Sequence, residues 1–239
     1  MPTLTIFTFS KLPKISEICK ILNGKKIGEA WFTAKRSKYN KNEVFIQYWK
    51  YEDIEEDLKK VFSEENAYEI VSFLKENGKS KVLKRTYCFI NFQTKTLEVY
   101  HGLDEKTEEI VSLLEKLLKT RFLPLKLSSK QLEKIYSNHS LELKQAMFKN
   151  VEGLIYEVLR GNYLENNKKF RKCMKRFSGC LRVISFRPKI NYLNKNSRYQ
   201  VTVNGDKGTI KISEGFFSWR PRYEIRQIVF LITRKSNFI

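Results

Sequence analysis

The sequence predicts an α+β fold, with antiparallel sheets and helices packed on one sheet face. Three observations support this. Residues 85–92 (RTYCFINF) and 96–101 read as a hairpin that runs straight into a helix, an antiparallel arrangement with the helix covering the sheet. Residues 199–212 alternate apolar and polar side chains on either side of NGDKG, a strong hairpin turn. Between 44–51 and 53–76 the hydrophobic period changes from that of a strand to that of a helix.

Taken in order, Leu4, Ile6 and Phe9 mark a first strand, and Ile15, Ile18, Ile21 and Leu22 a first helix. Residues 28–34 and 44–51 are strands, the second rich in β-branched and aromatic side chains. Ile54, Leu58 and Val61, then Ile70, Val71 and Leu74, are at helical spacing, with Ser63 placed to cap the second stretch ahead of two acids. Gly102 breaks the hairpin ladder and Asp104 caps a helix carrying Ile110, Val111, Leu113, Leu114, Leu117 and Leu118 on one stripe. Residues 123–127 form a short strand, and Ser128 or Ser129 caps a helix running toward Lys149. Residues 155–159 read as a strand or as a helical segment, 163–177 as a helix, and 180–186 as a strand. Residues 223–233 become apolar on both faces and read as a central buried strand. Two subdomains are expected: a charge-balanced scaffold over 1–120 and a strongly basic one over 121–239, with a soft boundary between 120 and 160.

The charge distribution carries the functional expectation. The formal net charge is +20, yet the residues before Thr120 hold twenty-one basic and eighteen acidic side chains. From Lys168 to Lys235 there are eighteen Lys or Arg against Asp206, Glu214 and Glu224. Such a field is matched by a polyanion, most commonly a phosphate backbone. In residues 163–177, Phe170, Cys173, Met174 and Phe177 fall at helical spacing and face a core, leaving Lys168, Lys169, Arg171, Lys172, Lys175 and Arg176 on the outer surface. Cations at i,i+4 repel one another, and a face that tolerates this is suited to phosphates. Arg187, Lys189, Arg198 and Lys211 at strand positions, with Arg220, Arg222 and Arg226 beyond them, extend the expected interface. Arginine forks suit phosphate oxygens and guanine edges. In GFFSWRPRY, Trp219 stands beside Arg220 and reads equally as a platform for an unpaired base or as a core plug, whereas Phe216 and Phe217 read as core plugs.

Catalytic signals are sparse. Glu52, Asp53, Glu55, Glu56 and Asp57 would hold magnesium only if they converged, and they read as the acidic start of a helix. The Glu142-Leu143-Lys144 triplet has the Glu-x-Lys spacing of a metal-dependent nuclease but falls on an expected helix. Neither His101 nor His139 has a neighbouring nucleophile, and no phosphate loop or dinucleotide fingerprint is present. Cys19, Cys88, Cys173 and Cys180 lack zinc-ligand spacing and read as small apolar residues of a reducing compartment. No cofactor, metal or membrane contact is expected, and the compartment is expected to be intracellular, cytoplasm or nucleoid or nucleus. The leading expectation is a non-catalytic protein binding DNA or RNA. Its alternatives are a complex subunit docking an acidic partner or a second copy, through the strand near Val229 and the tail Phe238-Ile239, and a metal-dependent nuclease.

Overall fold

In a computed structural model of the chain, residues 3–38, 40–193, 199–213 and 221–233 are described. The strands are β1 (Thr3–Thr8), β2 (Lys26–Ile27), β3 (Ala30–Arg36), β4 (Glu43–Asp53), β5 (Lys81–Asn91), β6 (Thr96–Val99), β7 (Leu123–Pro124), β8 (Ser140–Val151), β9 (Leu154–Arg160), β10 (Leu181–Pro188), β11 (Gln200–Asn204) and β12 (Thr209–Ser213). The helices are α1 (Ile15–Leu22), α2 (Glu55–Leu58), α3 (Glu64–Glu76), α4 (Glu105–Leu118), α5 (Ser129–His139), α6 (Lys168–Phe177) and α7 (Arg222–Thr233). The α+β class is as the sequence predicts.

The chain divides into two compact units, residues 13–90 and residues 1–12 with 91–239. The division is not the expected one between 120 and 160. It falls elsewhere because β1, at the start of the chain, pairs antiparallel with both β6 and β12. The first strand therefore belongs with residues 91–239, and the intervening segment forms a unit of its own.

In the unit of residues 13–90, β2, β3 and β4 are antiparallel, with β5 beside β4. Ala30, Phe32 and Ala34 on β3 and Val44, Ile46 and Tyr48 on β4 are buried, as the period of two requires for one covered face. α1 lies against β3 and buries Ile18 and Leu22. Its start is held by the Glu17 carboxylate, which accepts the Lys14 backbone N–H (3.1 Å). Just past its end, Asn23 Oδ1 accepts the Ala34 N–H (2.7 Å), tying the helix to the strand. Ser63 caps α3 as its position predicts, accepting from the Asn66 N–H.

In the larger unit the sheet order is β6-β1-β12-β11-β10-β8-β9, with β7 also on β1. Ile184, Phe186, Val201, Val203, Ile210 and Ile212 point to one face and form a core with residues of α5, α6 and α7. Asp104 caps α4 through the Thr107 N–H, and Ser128 caps α5 in a reciprocal box with Gln131.

Two expected elements differ. Residues 223–233 are helix α7 rather than a buried strand. Ile225, Ile228, Val229 and Ile232 are buried at i, i+3, i+4 and i+7, and the run looked two-faced because half-buried Phe230 and Leu231 flank that stripe. The expected helix toward Lys149 ends at His139, and β8 follows at once. β8 is paired by β10 on one edge and β9 on the other, and this long-range pairing overrides the local helical pattern. Residues 155–159, open to either interpretation, lie on strand β9.

The β11–β12 hairpin is tightly packed at its turn. Asn204 Oδ1 accepts the Asp206 and Lys207 N–H groups, and Ile6 donates to the Gly208 carbonyl (2.9 Å). Gly208 has φ +61°, and a Cβ there would come within 2.4 Å of the Leu125 carbonyl oxygen. Gly208→Ala is expected to destabilise the protein by about 2–4 kcal/mol, measured by urea unfolding, because it combines left-handed backbone with a clash against fixed backbone.

Candidate nucleic-acid interface

Helix α6 begins at Asn167, whose Oδ1 accepts the N–H groups of Lys169 (2.8 Å) and Phe170 (3.3 Å). Phe170 and Cys173 are buried, Met174 and Phe177 half-buried, and all six cations are exposed. Phe170 meets Tyr136 of α5 edge-on at 5.9 Å between ring centroids, and Phe148 of β8 at 6.2 Å. The four apolar residues thus anchor the helix on the sheet, and the cations are turned outward.

The six cations are not equivalent. Lys169 pairs with Glu157 (2.9 Å) and Arg176 with Glu152 (3.3 Å), acids on β9 and on the turn before it. The Lys169 hydrogen bond holds the Glu157 carboxyl below the ordinary range, and the Glu157 carboxylate in turn raises the Lys169 ammonium. Arg171, on the other flank, donates to the Glu165 carbonyl and to Asn166 Oδ1, neutral acceptors that leave its charge uncompensated. Lys168, Lys172 and Lys175 occupy the crest between the flanks at i, i+4 and i+7, and no ion pair reaches them among the described residues. On α5, Lys130 and Lys134 are exposed in the same helical layer and are likewise without an ion pair there.

The other expected contacts are dispersed. Lys211 alternates with Ile210 and Ile212, so it lies on the sheet face opposite α5, α6 and α7 and turns away from the α6 crest. Arg187 pairs with Glu142 (3.1 Å) at the β10–β8 ladder. Lys189 is exposed just past β10, and its backbone N–H donates to the His139 carbonyl (2.8 Å). Arg222 makes a bidentate bond to fully buried Glu98 (2.6 and 3.0 Å) and a third to the Tyr100 hydroxyl (2.8 Å), so its guanidinium ties α7 to β6. Arg226 is half-buried on α7. Arg198, Trp219 and Arg220 lie outside the described residues, as do Phe216, Phe217 and the tail Phe238-Ile239.

Three of the five acids expected as a possible magnesium site, Glu52, Glu55 and Asp57, are engaged by lysines. Glu52 and Asp57 converge on Lys84 (3.1 and 2.6 Å), and Glu55 meets Lys59 (2.9 Å). Among the described residues no group of three or more His, Cys, Asp or Glu is placed to hold a metal ion. All four cysteines are free, and burial raises the Cys173 and Cys88 thiols. The Glu142-x-Lys144 triplet is on strand β8, not on a helix. Glu142 is nevertheless fully occupied: Oε1 takes Lys144 (2.7 Å) and the Tyr163 N–H (3.3 Å), and Oε2 takes Arg187 (3.1 Å). The nuclease arrangement therefore has its Glu-x-Lys on a strand, but without a companion acid cluster.

A further face lies outside the basic segment. In the unit of residues 13–90, the side of β3, β4 and β5 opposite the buried one carries Trp31, Phe45, Trp49, Tyr51, Tyr87 and Phe89, each retaining solvent exposure. The signal was present in the strands identified at 28–34 and 44–51, where every second residue on one face is aromatic or polar. Charge was the guide, and this segment is nearly neutral. No protein-family model matches the sequence, and no curated protein matches it.

Glu142 supports a pH test. Its burial would by itself raise the carboxyl, but the Lys144 hydrogen bond and charge, the Tyr163 N–H and Arg187 outweigh this and hold it below the ordinary value. Its contribution is therefore complete above the unfolded carboxyl value and disappears as pH falls through the lower folded one. Glu142→Gln, which retains an acceptor for Tyr163, should lose about 1–2 kcal/mol at neutral pH, discounted because Lys144 and Arg187 remain partly solvated. The difference from wild type should shrink as urea unfolding is repeated at progressively lower pH.

Proposed function

We propose that the protein binds DNA or RNA through the phosphate backbone and performs no chemistry on it. The observation that supports this most directly is the α6 crest, where Lys168, Lys172 and Lys175 stand exposed and without an acid partner among the described residues. Seven residues of helix rise about 10 Å, close to the axial rise of three nucleotides in one strand. Arg171 on one side, with Lys130 and Lys134 on the neighbouring helix, widens the positive surface. Side chains of this kind contact backbone oxygens and carry little sequence information, so modest sequence preference is expected.

The affinity for a nucleic acid should fall with salt at a log–log slope near −0.9 per phosphate engaged. Changing Lys168, Lys172 and Lys175 together to Glu should flatten that slope by about 3 and weaken binding to all sequences alike. Because the crest makes no ion pair, unfolding should shift by less than about 0.5 kcal/mol. Filter binding at several ionic strengths, with unfolding measured alongside, tests this. A slope that the triple variant leaves unchanged would overturn the assignment to α6.

A second reading, a subunit that pairs with another strand, is favoured by β9. This strand ends the sheet order, and Leu154, Ile155, Tyr156 and Val158 are 55, 69, 53 and 43% exposed. An edge with exposed apolar residues is a template for strand addition. With Tyr156 opposite Tyr156 of a second copy, Leu154 would meet Val158. The expected strand near Val229 has no part in this, since Val229 is buried on α7. Self-association of chains this basic should strengthen with salt, opposite in sign to phosphate binding, and Tyr156→Lys should abolish it in light scattering.

A further inference from the structure

We infer that the aromatic face of the unit of residues 13–90 is a second site, independent of α6, that takes the unpaired bases of a single-stranded nucleic acid. Its rings form a connected row across three strands. Tyr51 meets Trp31 (5.7 Å), Trp31 stacks parallel to Trp49 (6.2 Å, 7° between planes), and Phe45 meets both Tyr87 (5.6 Å) and Phe89 (5.1 Å). The Arg85 guanidinium joins the two halves, lying 5.1 Å from the Trp49 ring centroid and 4.6 Å from that of Tyr87. Lys35 sits over Phe45 at 5.5 Å.

Three features identify the occupant. First, along 31–35, 45–51 and 83–89 this face bears Lys35 and Arg85 and no carboxylate, so this stretch complements an anion; Asp53 and Glu29 stand at its end, beyond Tyr51 and Trp31, where Lys81 pairs with Glu29. Second, aromatic planes alternating with cations suit a chain that carries flat bases and phosphates by turns, since each base presents a π-face whatever its identity. Third, hydrogen-bonding groups remain on the face. Gln47 Oε1 accepts the Thr33 hydroxyl (3.2 Å), which leaves its amide NH2 for a base edge. The indole N–H of Trp49 is buried with no partner among the described residues. Such an orphan donor is unfavourable, and a ligand acceptor entering with movement of Arg85 would satisfy it. A duplex, whose bases are stacked inside, offers this face nothing beyond its phosphates.

The chain has three tryptophans, so in a Trp219→Phe variant only Trp31 and Trp49 emit. Oligo-dT of about twenty nucleotides should quench that emission on binding, whereas a duplex of equal length, an abasic strand of equal charge and poly-glutamate should not. Adding the triple α6 reversal should leave the quenching by oligo-dT in place, which separates this site from the α6 reading. Arg85→Glu and Tyr51→Ala, both at exposed positions, should each weaken the quenching interaction about tenfold. No quenching by oligo-dT, or equal quenching by the abasic strand or poly-glutamate, would overturn the inference without touching the α6 assignment. The oligonucleotide arms need no substitution on the face itself, so they remain decisive even where a face variant fails to fold.

Discussion

Positive charge without enough acid to balance it governs the larger unit. It contains thirty basic and fourteen acidic residues, so sixteen of the twenty net charges reside there. Every described acid from Glu142 to Glu224 is committed within the unit. Glu142 holds Lys144 and Arg187, Glu157 holds Lys169, Glu152 holds Arg176 and Asp206 holds Arg182. Glu165 accepts the Leu143 N–H, and Glu224 accepts Leu193 N–H and the Tyr199 hydroxyl. These acids go to ladder edges and helix flanks, where a charge left alone would weaken the packing. The crest of α6 receives none of these described acids.

Much of the local structure was legible. NGDKG made its hairpin, Asp104 and Ser63 made their caps, and the apolar four of 170–177 turned inward with six cations out. In each case the decisive forces act within a few residues, through turn geometry, capping bonds or helical period. What failed depended on distant partners. β8 is a strand because β9 and β10 flank it, although its sequence follows a capped helix without a break. α7 resembled a strand because half-buried Phe230 and Leu231 flank its stripe and blur the period.

The candidate sites follow the same rule. Exposure of the α6 cations was readable from spacing, but their division into paired flanks and an unpaired crest was not, because Glu152 and Glu157 arrive from a hairpin earlier in the chain. Arg222 looked like part of a basic cluster, yet its partner Glu98 lies 124 residues away in sequence. The aromatic row was harder still. No single strand contains it: two tryptophans come from adjacent strands in register, and the arginine that links them to Tyr87 comes from a third. Net charge, the most informative global quantity here, is silent about a face built of π-systems and two cations.

The chain order has a consequence for biogenesis. β1 is made before the other strands of its sheet, yet its neighbour β12 ends about two hundred residues later, so the larger sheet cannot close until β12 has been made. The strands β2, β3 and β4 of the segment 13–90 are contiguous in the chain and pair with one another. Translation would therefore bring these three together while Leu4 and Ile6 still wait for Ile210 and Ile212. In that interval, long against the microseconds of hairpin formation, the apolar first strand is a natural client for a holding chaperone.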